Sequence, residues 1–311
     1  MSTGYFTHSD CQWHDMGEGH PESPQRLPAI EDQLRAQGLD AFLTFRDAPL
    51  AQLSDLQLAH ESNYILTLDD FLQQLETTGE TRAVDPDTWA SPGTRTAAWH
   101  AAGAAVAATD AVIDGEFSNA FCAIRPPGHH ATRRQSMGFC FFNNVAVAAR
   151  HALDVRGLKR VAVIDFDVHH GNGTEDILAG DDRILMLSYF MSPGYPFSGE
   201  ECKEGNMVNV PVPPRSDGKF VRDVVDAYWL HRLEYFEPEM IFISAGFDAH
   251  REDEMGGLRL VEADYTWMTS KIMEVANRFC KGRVVSCLEG GYNLSSLARS
   301  AAAHIRVLIE E

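Results

Sequence analysis

The sequence contains few cationic residues for its length. Its 311 residues include 26 Lys and Arg against 45 Asp and Glu, which gives a formal net charge of −19 at pH 7. Binding along a nucleic-acid backbone depends on cations that neutralise phosphates, so the composition argues against nucleic acid as the main partner. The acidic balance suits a cationic substrate, and it equally suits a protein that its charge keeps dispersed in solution.

The chain also lacks the segments that direct a protein to a membrane or anchor it there. No apolar run reaches the roughly 18 residues that a membrane span requires. The N-terminus has no charged-then-apolar pattern of a secretory signal. No C-x-x-C pair occurs among the six scattered cysteines, which are Cys11, Cys122, Cys140, Cys202, Cys280 and Cys287. Such usage is typical of a reducing compartment, so we expect a soluble, cytoplasmic protein with no membrane partner.

What the sequence does contain is an alternation of strand and helix patterns. Short runs rich in β-branched residues predict buried strands at residues 5–6, 42–45, 121–124, 161–165, 184–188, 208–212, 241–245 and 284–288. Helical patterns lie between them, at residues 24–37, 91–113, 140–153, 219–235, 262–281 and 294–309. This alternation predicts a single α/β domain over residues 1–311. Its central, mainly parallel β-sheet of about eight strands would be flanked by helices on both faces.

Four segments dense in reactive side chains each follow a predicted strand. They are R-P-P-G-H-H at residues 125–130, D-F-D-V-H-H-G at 165–171, S-A-G-F-D at 244–248 and L-E-G-G-Y-N at 288–293. Parallel sheets hold their active sites just beyond the carboxyl ends of the strands. Taken singly, an Asp after a strand is usually a cap, and a Gly-Gly-Tyr segment is usually a turn. Their joint occurrence favours a catalytic centre.

The residue types in these segments indicate a metal-assisted reaction. Asp167 and His169 are two apart on extended backbone, so they can face one ion together, and Asp248 adds a second carboxylate. Three protein ligands with an open position are typical of catalytic zinc, although this set would also accept Fe(II), Co(II) or Mn(II). A spare His pair is available for proton transfer, and Tyr292 can polarise a carbonyl.

These motifs resemble the arginase/histone-deacetylase superfamily, and within it the class II-type deacetylases and their bacterial relatives. The matching segments are G-H-P-E at 19–22, R-P-P-G-H-H at 125–130, M-G-F-C-F-F-N-N at 137–144, D-F-D-V-H-H-G-N-G at 165–173, A-G-F-D-A at 245–249 and E-G-G-Y-N at 289–293. They stand in family order along nearly the whole chain. The resemblance implies a fold of the arginase/deacetylase type.

The resemblance further implies two metal sites. A catalytic zinc ion would be bound by Asp167, His169 and Asp248. A structural potassium ion would lie beneath it, and the matching side chains or carbonyls are those of Asp165, Asp167, His169, Ser188 and Tyr189. Oxygen-rich ligation is compatible with such a hard cation.

Catalytic roles follow from the same resemblance. His130 would act as general base and then as general acid, with His129 beside it as an electrostatic partner. Asp165 would orient His129, and Asn172 would orient His130. Tyr292 would donate its hydroxyl to the developing oxyanion.

An apolar tunnel to the metal is also implied, and here the sequence departs from the family. The matching lining residues are Gly138, Phe139, Tyr195, Met255 and Gly290. The sequence of residues 191–199 differs from the usual class II motif. The loop at residues 250–257 lacks the common Gly-Asp-Pro-Leu, and Met255 takes the Leu place. Polyamine-specialised relatives use Glu at that place, so Met255 favours acyl-lysine.

We therefore expect a zinc-dependent amidohydrolase that removes acetyl or another short acyl group from lysine in a peptide or protein. The alternative is an acetylpolyamine amidohydrolase acting on an acetylated small amine, with Glu254 or Glu22 meeting the second ammonium. An inactive acyl-lysine binding module is disfavoured because Tyr292 and the metal ligands are all present. A two-manganese ureohydrolase is disfavoured because Asp-x-Asp-x-His replaces Asp-x-His-x-Asp.

Overall fold

The computed structural model describes residues 2–200 and 205–310, so Cys202 lies outside the described residues. Its strands are β1 (Thr3–Thr7), β2 (Leu43–Asp47), β3 (Arg82–Ala83), β4 (Trp89–Ala90), β5 (Asn119–Cys122), β6 (Val161–Asp165), β7 (Ile184–Met191), β8 (Met207–Val212), β9 (Met240–Ala245) and β10 (Val284–Leu288). Eight of them form one sheet in the order β2-β1-β5-β10-β9-β6-β7-β8. Every neighbouring pair in this sheet is parallel. The other two, β3 and β4, form a short antiparallel ribbon.

Helices cover both faces of the sheet. They are α1 (Arg26–Ala36), α2 (Leu53–Leu56), α3 (Ser62–Thr78), α4 (Thr94–Ile113), α5 (Asn144–Arg150), α6 (Asn172–Leu178), α7 (Gly218–Val225), α8 (His231–Phe236), α9 (Glu262–Phe279) and α10 (Leu294–Glu310). Two π-helical stretches, His151–Val155 and Asp226–Leu230, continue α5 and join α7 to α8. The predicted α/β class and the flanked parallel sheet are confirmed.

The strand β6 explains why the sheet is buried on both sides. All five of its residues are buried. Ala162 and Ile164 pack into the core formed with α1, α9 and α10. Val161 and Val163 pack into the core formed with α3, α4 and α5 on the other face. Successive side chains of a strand point to opposite faces, so a continuous apolar run serves both cores.

Several helices differ from the sequence prediction. The helices α2, α3 and α6 were not predicted, although the buried residues of α3, which are Ile65, Leu68, Leu72 and Leu75, have helical spacing. The helix predicted from residue 140 begins at Asn144, because the Asn143 side chain caps it by accepting a hydrogen bond from Ala146 N at 3.0 Å. Residues 137–142 are therefore free to form the wall of a site.

Two findings bear on the cellular environment. Within residues 2–200 and 205–310, no helix combines the length and the apolar character needed to cross a membrane. The five cysteines of the described chain are buried and free of disulfide bonds. Cys122, Cys140 and Cys287 lie in apolar runs and are fully buried.

Candidate active site

The four reactive segments meet at one place because their strands are neighbours. In the sheet, β5, β10, β9 and β6 stand side by side and run in the same direction. Their carboxyl ends therefore release the four segments at a common edge, where parallel sheets place their active sites.

Asp167, His169 and Asp248 form the candidate metal centre. One ligand atom from each lies within 4.8 Å of the others. His169 Nδ1 is 2.9 Å from Asp167 Oδ1 and 3.2 Å from Asp248 Oδ2. Asp248 Oδ2 is buried and makes no well-aligned hydrogen bond among the described residues; it meets the same His169 nitrogen that also meets Asp167. One ring nitrogen is shared between two buried carboxylates, so the set of ligands fits a metal ion that would compensate the remaining charge.

The electrostatics of the centre lead to the same conclusion. Burial, and then the charge of Asp167, raise the pKa of Asp248 to about 7. Two carboxylates buried side by side repel each other unless a positive charge lies between them. The single imidazole of His169 meets both of them. One His and two carboxylates suit zinc and other divalent transition ions.

Backbone groups hold both carboxylates in place. Gly290 N donates to Asp167 Oδ2 at 2.9 Å, and Val168 N donates to Asp248 Oδ1 at 3.0 Å. A Cβ atom on Gly290 would overlap Asp248 Oδ2 and crowd Asp167. Only glycine lets the backbone approach the ligands so closely, which explains the first of the paired glycines.

The two adjacent histidines have different partners. His129 Nδ1 is 2.9 Å from Asp165 Oδ2, whereas His130 Nδ1 is 2.7 Å from Asn172 Oδ1. Their ring centroids are 4.0 Å apart. Burial would lower the pKa of His129, but the charges of Asp165 and Asp167 outweigh it and raise that pKa to about 10. Burial, and then the charge on His129, hold the pKa of His130 well below its ordinary value. Such a pair has one charged member and one neutral proton acceptor.

Glu289 holds the backbone of the segment at residues 125–130, which carries the two histidines. Its Oε2 accepts hydrogen bonds from Gly128 N at 2.6 Å and His129 N at 3.0 Å, and its Oε1 accepts one from Ser244 Oγ at 3.2 Å. This carboxylate belongs to a quoted motif, but sequence reasoning gave it no role. It links the segments that follow β5, β9 and β10.

Tyr292 is partly buried and faces the site from the end of β10. Its ring centroid is 5.8 Å from that of Phe139. Burial raises the pKa of Tyr292 well above its ordinary value, so the phenol keeps its proton and can donate it. The backbone of this segment is held by Asp253, whose Oδ2 accepts from Tyr292 N at 2.6 Å and from Asn293 N at 3.0 Å. Sequence reasoning missed Asp253, because no motif marks it.

A buried network of charges supports the centre and corrects one prediction. Glu22 was a candidate partner for a substrate ammonium, but it is fully buried. It accepts from Arg26 at 2.9 Å and from Arg125 at 2.5 and 2.7 Å. Burial alone would raise the pKa of Glu22, but Arg125 and then His14 hold it well below its ordinary value. Arg26 in turn donates to the carbonyl of Gly291 at 2.7 Å, so the network fixes the loop that carries Tyr292.

The predicted tunnel residues occupy several sides of the centre. Gly138 has a φ of 56°, and a Cβ atom there would overlap the ring of His130. Phe139 has a φ of 68°, an uncommon conformation for a bulky residue, and its ring centroid is 4.7 Å from that of His20. The Tyr195 ring stands edge-on to His130 at 5.1 Å. Met255 is 39% exposed, at the outer surface.

Three of the positions matched to a potassium site lie on β6 and β7, and Asp167 and His169 follow β6 directly. Asp165 is opposite Ser188 in the parallel register. Ser188 and Tyr189 are fully buried, and Ser188 Oγ donates to the Tyr189 carbonyl at 3.3 Å.

The chain is similar in sequence and in structure to known proteins. The histone deacetylase domain model matches residues 20–308. The chain is 34% identical, over 98% of its length, to the type-2 histone deacetylase 2 of Dictyostelium discoideum, of which it spans 20%. It is 36% identical to the histone deacetylase-like amidohydrolase of Pseudomonas aeruginosa, over 94% of this chain and 82% of that protein. The crystal structure of the HDA15 HD domain matches with a TM-score of 0.91 and 32% identity, over 100% of this chain and 90% of that one. The chain therefore belongs to the histone deacetylase family, the amide hydrolases of the arginase/deacetylase superfamily.

Proposed function

We propose that the chain is a zinc-dependent deacylase that hydrolyses the amide of N-acetyl-lysine, or of lysine with another short acyl group, to a carboxylate and a free amine. One observation carries the proposal: three ligand atoms of Asp167, His169 and Asp248 meet within 4.8 Å, and a single imidazole nitrogen there faces two buried carboxylates. We assign the catalytic domain to residues 1–311. The buried free thiols fit a reducing compartment, which supports a cytoplasmic location.

Zinc is the proposed ion because its usual catalytic sites have three nitrogen and oxygen ligands and an open position. When bound, it would polarise the amide carbonyl and lower the pKa of the attacking water. For the structural ion, we propose potassium near the oxygen atoms of Asp165 and Ser188, two residues that are paired in the register of β6 and β7.

His130 is the proposed proton carrier. Its Nδ1 lies 2.7 Å from the amide oxygen of Asn172, an acceptor, so Nδ1 carries the hydrogen. In the neutral ring, Nε2 is then free to take a proton from water and return it to the leaving amine. His129 is tied to the carboxylate of Asp165 instead, and its proposed role is to hold positive charge beside the reacting atoms.

Tyr292 is the proposed donor to the oxyanion. Its backbone is held by Asp253, and Arg26 Cζ lies 5.1 Å from the centroid of its ring. A donor fixed before reaction needs no reorganisation when negative charge develops on the carbonyl oxygen, and this is the main advantage of such sites.

The proposed substrate stem lies between aromatic rings. Phe139 stands edge-on to Tyr292, and Tyr195 stands edge-on to His130, so both rings adjoin proposed catalytic side chains. An aliphatic lysine stem gains roughly 25 cal/mol per Å² when it is buried between such walls. Glu22 is unavailable to a second ammonium, because it is buried and paired with arginines.

A second candidate is an acetylpolyamine amidohydrolase. The net charge of −19 and the exposed Glu254 favour a polycation. An exposed ion pair is worth under about 1 kcal/mol, so Glu254 alone gives little preference. We therefore place acyl-lysine first.

Metal removal and a comparison of substrates test the proposal. Chelation should abolish turnover of an acetyl-lysine peptide, and zinc should restore it. Asp248→Ala should lose both the ion and turnover, while Glu254→Gln, an exposed carboxylate nearby, should keep both. Full turnover by metal-free protein would contradict the metal role. A preference of tenfold or more for acetylputrescine would promote the second candidate.

A further inference from the structure

A second cluster of metal-ligating side chains lies outside the catalytic centre. His8 and Asp10 follow the carboxyl end of β1, and His100 projects from α4. One ligand atom from each lies within 4.8 Å of the others. The strand β1 is the neighbour of β5 in the sheet. The cluster shares no residue with the catalytic centre.

The hydrogen bonding of His100 leaves one ring nitrogen as an acceptor. His100 Nδ1 is 2.7 Å from the carbonyl oxygen of Ala48. A carbonyl only accepts, so Nδ1 carries the hydrogen, and in the neutral ring Nε2 has a lone pair. Histidines that bind metals commonly donate their other N–H to a carbonyl in this way, which fixes the tautomer and the ring orientation.

That lone pair faces a carboxylate at a separation suited to a bridging ion. His100 Nε2 is 3.7 Å from Asp10 Oδ2. This distance is too long for a hydrogen bond. Two ligands bound at roughly 2.0–2.2 Å to a tetrahedral ion lie roughly 3.3–3.6 Å apart, so only a small adjustment would let both atoms bind one ion. Two acceptors face each other here, and a proton or a metal cation between them would relieve their repulsion.

The neighbouring imidazole disfavours the proton. The rings of His8 and His100 are stacked, with centroids 3.6 Å apart and planes 9° from parallel. Two imidazolium rings would repel each other at this separation.

We propose that His8, Asp10 and His100 form a second, non-catalytic site for a divalent transition metal ion, with zinc as the best fit. Two imidazoles and one carboxylate suit zinc, nickel or copper better than calcium or magnesium, which prefer oxygen ligands. His8 offers Nδ1, which is 3.3 Å from Asp10 Oδ1. That nitrogen accepts a 3.2 Å hydrogen bond from Asp10 N, and ion binding would exchange this long hydrogen bond for a metal bond.

An ion here would fasten the end of β1 to α4. The turn that contains Asp10 also contains Cys11, whose carbonyl accepts from Arg125 at 2.9 Å. Arg125 begins the segment that carries the catalytic histidines. The expected effect is stability of the folded chain rather than chemistry, because a ligand that binds only the folded state stabilises it by mass action.

Metal content and thermal unfolding of variants test the second site. After dialysis at micromolar free zinc, mass spectrometry should find two ions per wild-type chain and one in His100→Gln. Asp248→Ala should also retain one ion, and its melting temperature should rise by a few degrees with zinc. Adding His100→Gln to Asp248→Ala should abolish that rise. His151→Gln is the matched control, because His151 also lies beside carboxylates, Asp110 and Asp55, and this variant should keep two ions.

Several results would overturn the second site and leave the proposed function intact. One ion per wild-type chain, or two in His100→Gln, would refute it. Binding to Asp248→Ala only at millimolar zinc would mark an adventitious ion only. If His100→Gln does not fold, His8→Gln at the partly exposed ring gives the same readout. Turnover of an acetyl-lysine peptide by the folded single variant should stay within about twofold of wild type, and a large loss would contradict a non-catalytic role.

Discussion

Replacing Asp253 by Asn should impair Tyr292, the proposed oxyanion donor, without changing the metal content. Asp253 is 7% exposed and holds three backbone N–H groups. Its Oδ2 accepts from Tyr292 and Asn293 at 2.6 and 3.0 Å, and its Oδ1 accepts from Met255 at 3.0 Å. The side chain thus ties the loop of Tyr292 to the loop at the outer surface.

The size of the effect follows from these three hydrogen bonds. Hydrogen bonds to a charged group contribute about 1.5–3 kcal/mol each, against about 0.5–1.5 for neutral ones. Asn can keep its oxygen on the N–H groups of Tyr292 and Asn293, but its NH₂ group then faces the N–H of Met255. We expect about 2–4 kcal/mol less stability, from two weakened bonds and one unsatisfied N–H group.

The catalytic consequence has an upper limit. Loss of one oxyanion donor costs roughly 10²–10³ in kcat, so a displaced Tyr292 cannot cost more. For Asp253→Asn we expect about a tenfold fall in kcat, equivalent to about 1.4 kcal/mol, with KM and zinc content close to wild type.

Steady-state kinetics on an acetyl-lysine peptide, together with zinc analysis and thermal unfolding, measure all of these quantities. Glu254→Gln is the matched control, since the neighbouring carboxylate is exposed. An unchanged kcat with a raised KM would refute the reasoning, because Asp253 would then act on the outer loop instead of Tyr292.

Three further predictions concern the proposed chemistry and specificity. Tyr292→Phe should lower kcat by roughly 10²–10³ while the protein still folds and binds zinc, and kcat within about twofold of wild type would show that the loop is only a turn. His130→Ala should lose ~10²–10⁴ in kcat, and His129→Ala should lose less; a reversed order would mean that the two roles are exchanged. Met255→Glu should raise the ratio of kcat/KM for acetylputrescine over that for an acetyl-lysine peptide, by up to about fivefold for an exposed pair, and an unchanged ratio would place this residue outside the substrate path.

The sequence predicted the fold class and the edge of the sheet at which the reactive segments meet, for a physical reason. Parallel strands release their carboxyl ends at one edge, so Asp165–His169 and Asp248 had to lie near each other if their strands were neighbours. The order of the strands was beyond prediction, because nothing local in β9 says that it pairs with β6 and β10. The helix α3 was not predicted, although the spacing of its apolar residues is visible in the sequence and is sufficient to predict it.

Residues that act through the backbone were harder to predict. Asp253 and Glu289 make hydrogen bonds to N–H groups 39 and 161 residues away in the chain, and no spacing rule reports such contacts. The error on Glu22 has the same origin. Its partner Arg26, one helical turn on, was visible in the sequence, but Arg125 comes from 103 residues away. Only the fold shows that two guanidiniums satisfy this carboxylate and remove it from any substrate.

Compensation of buried charge separates the supporting carboxylates from the metal-binding ones. Glu22 is fully buried and meets two guanidiniums, and Glu289 is fully buried and meets two backbone N–H groups and a hydroxyl. Asp248 is equally buried, yet in the described chain its Oδ2 meets only the His169 nitrogen, which Asp167 shares. Burying a carboxylate whose charge is only partly compensated costs several kcal/mol, and a bound cation would supply the missing charge. Asp10 is partly exposed, so the second site rests on geometry instead: an Asp10 oxygen lies 3.7 Å from His100 Nε2, and His8 completes the set of three ligand atoms. The first metal proposal therefore rests on buried negative charge and on the motifs, and the second rests on the placement of the ligand atoms alone.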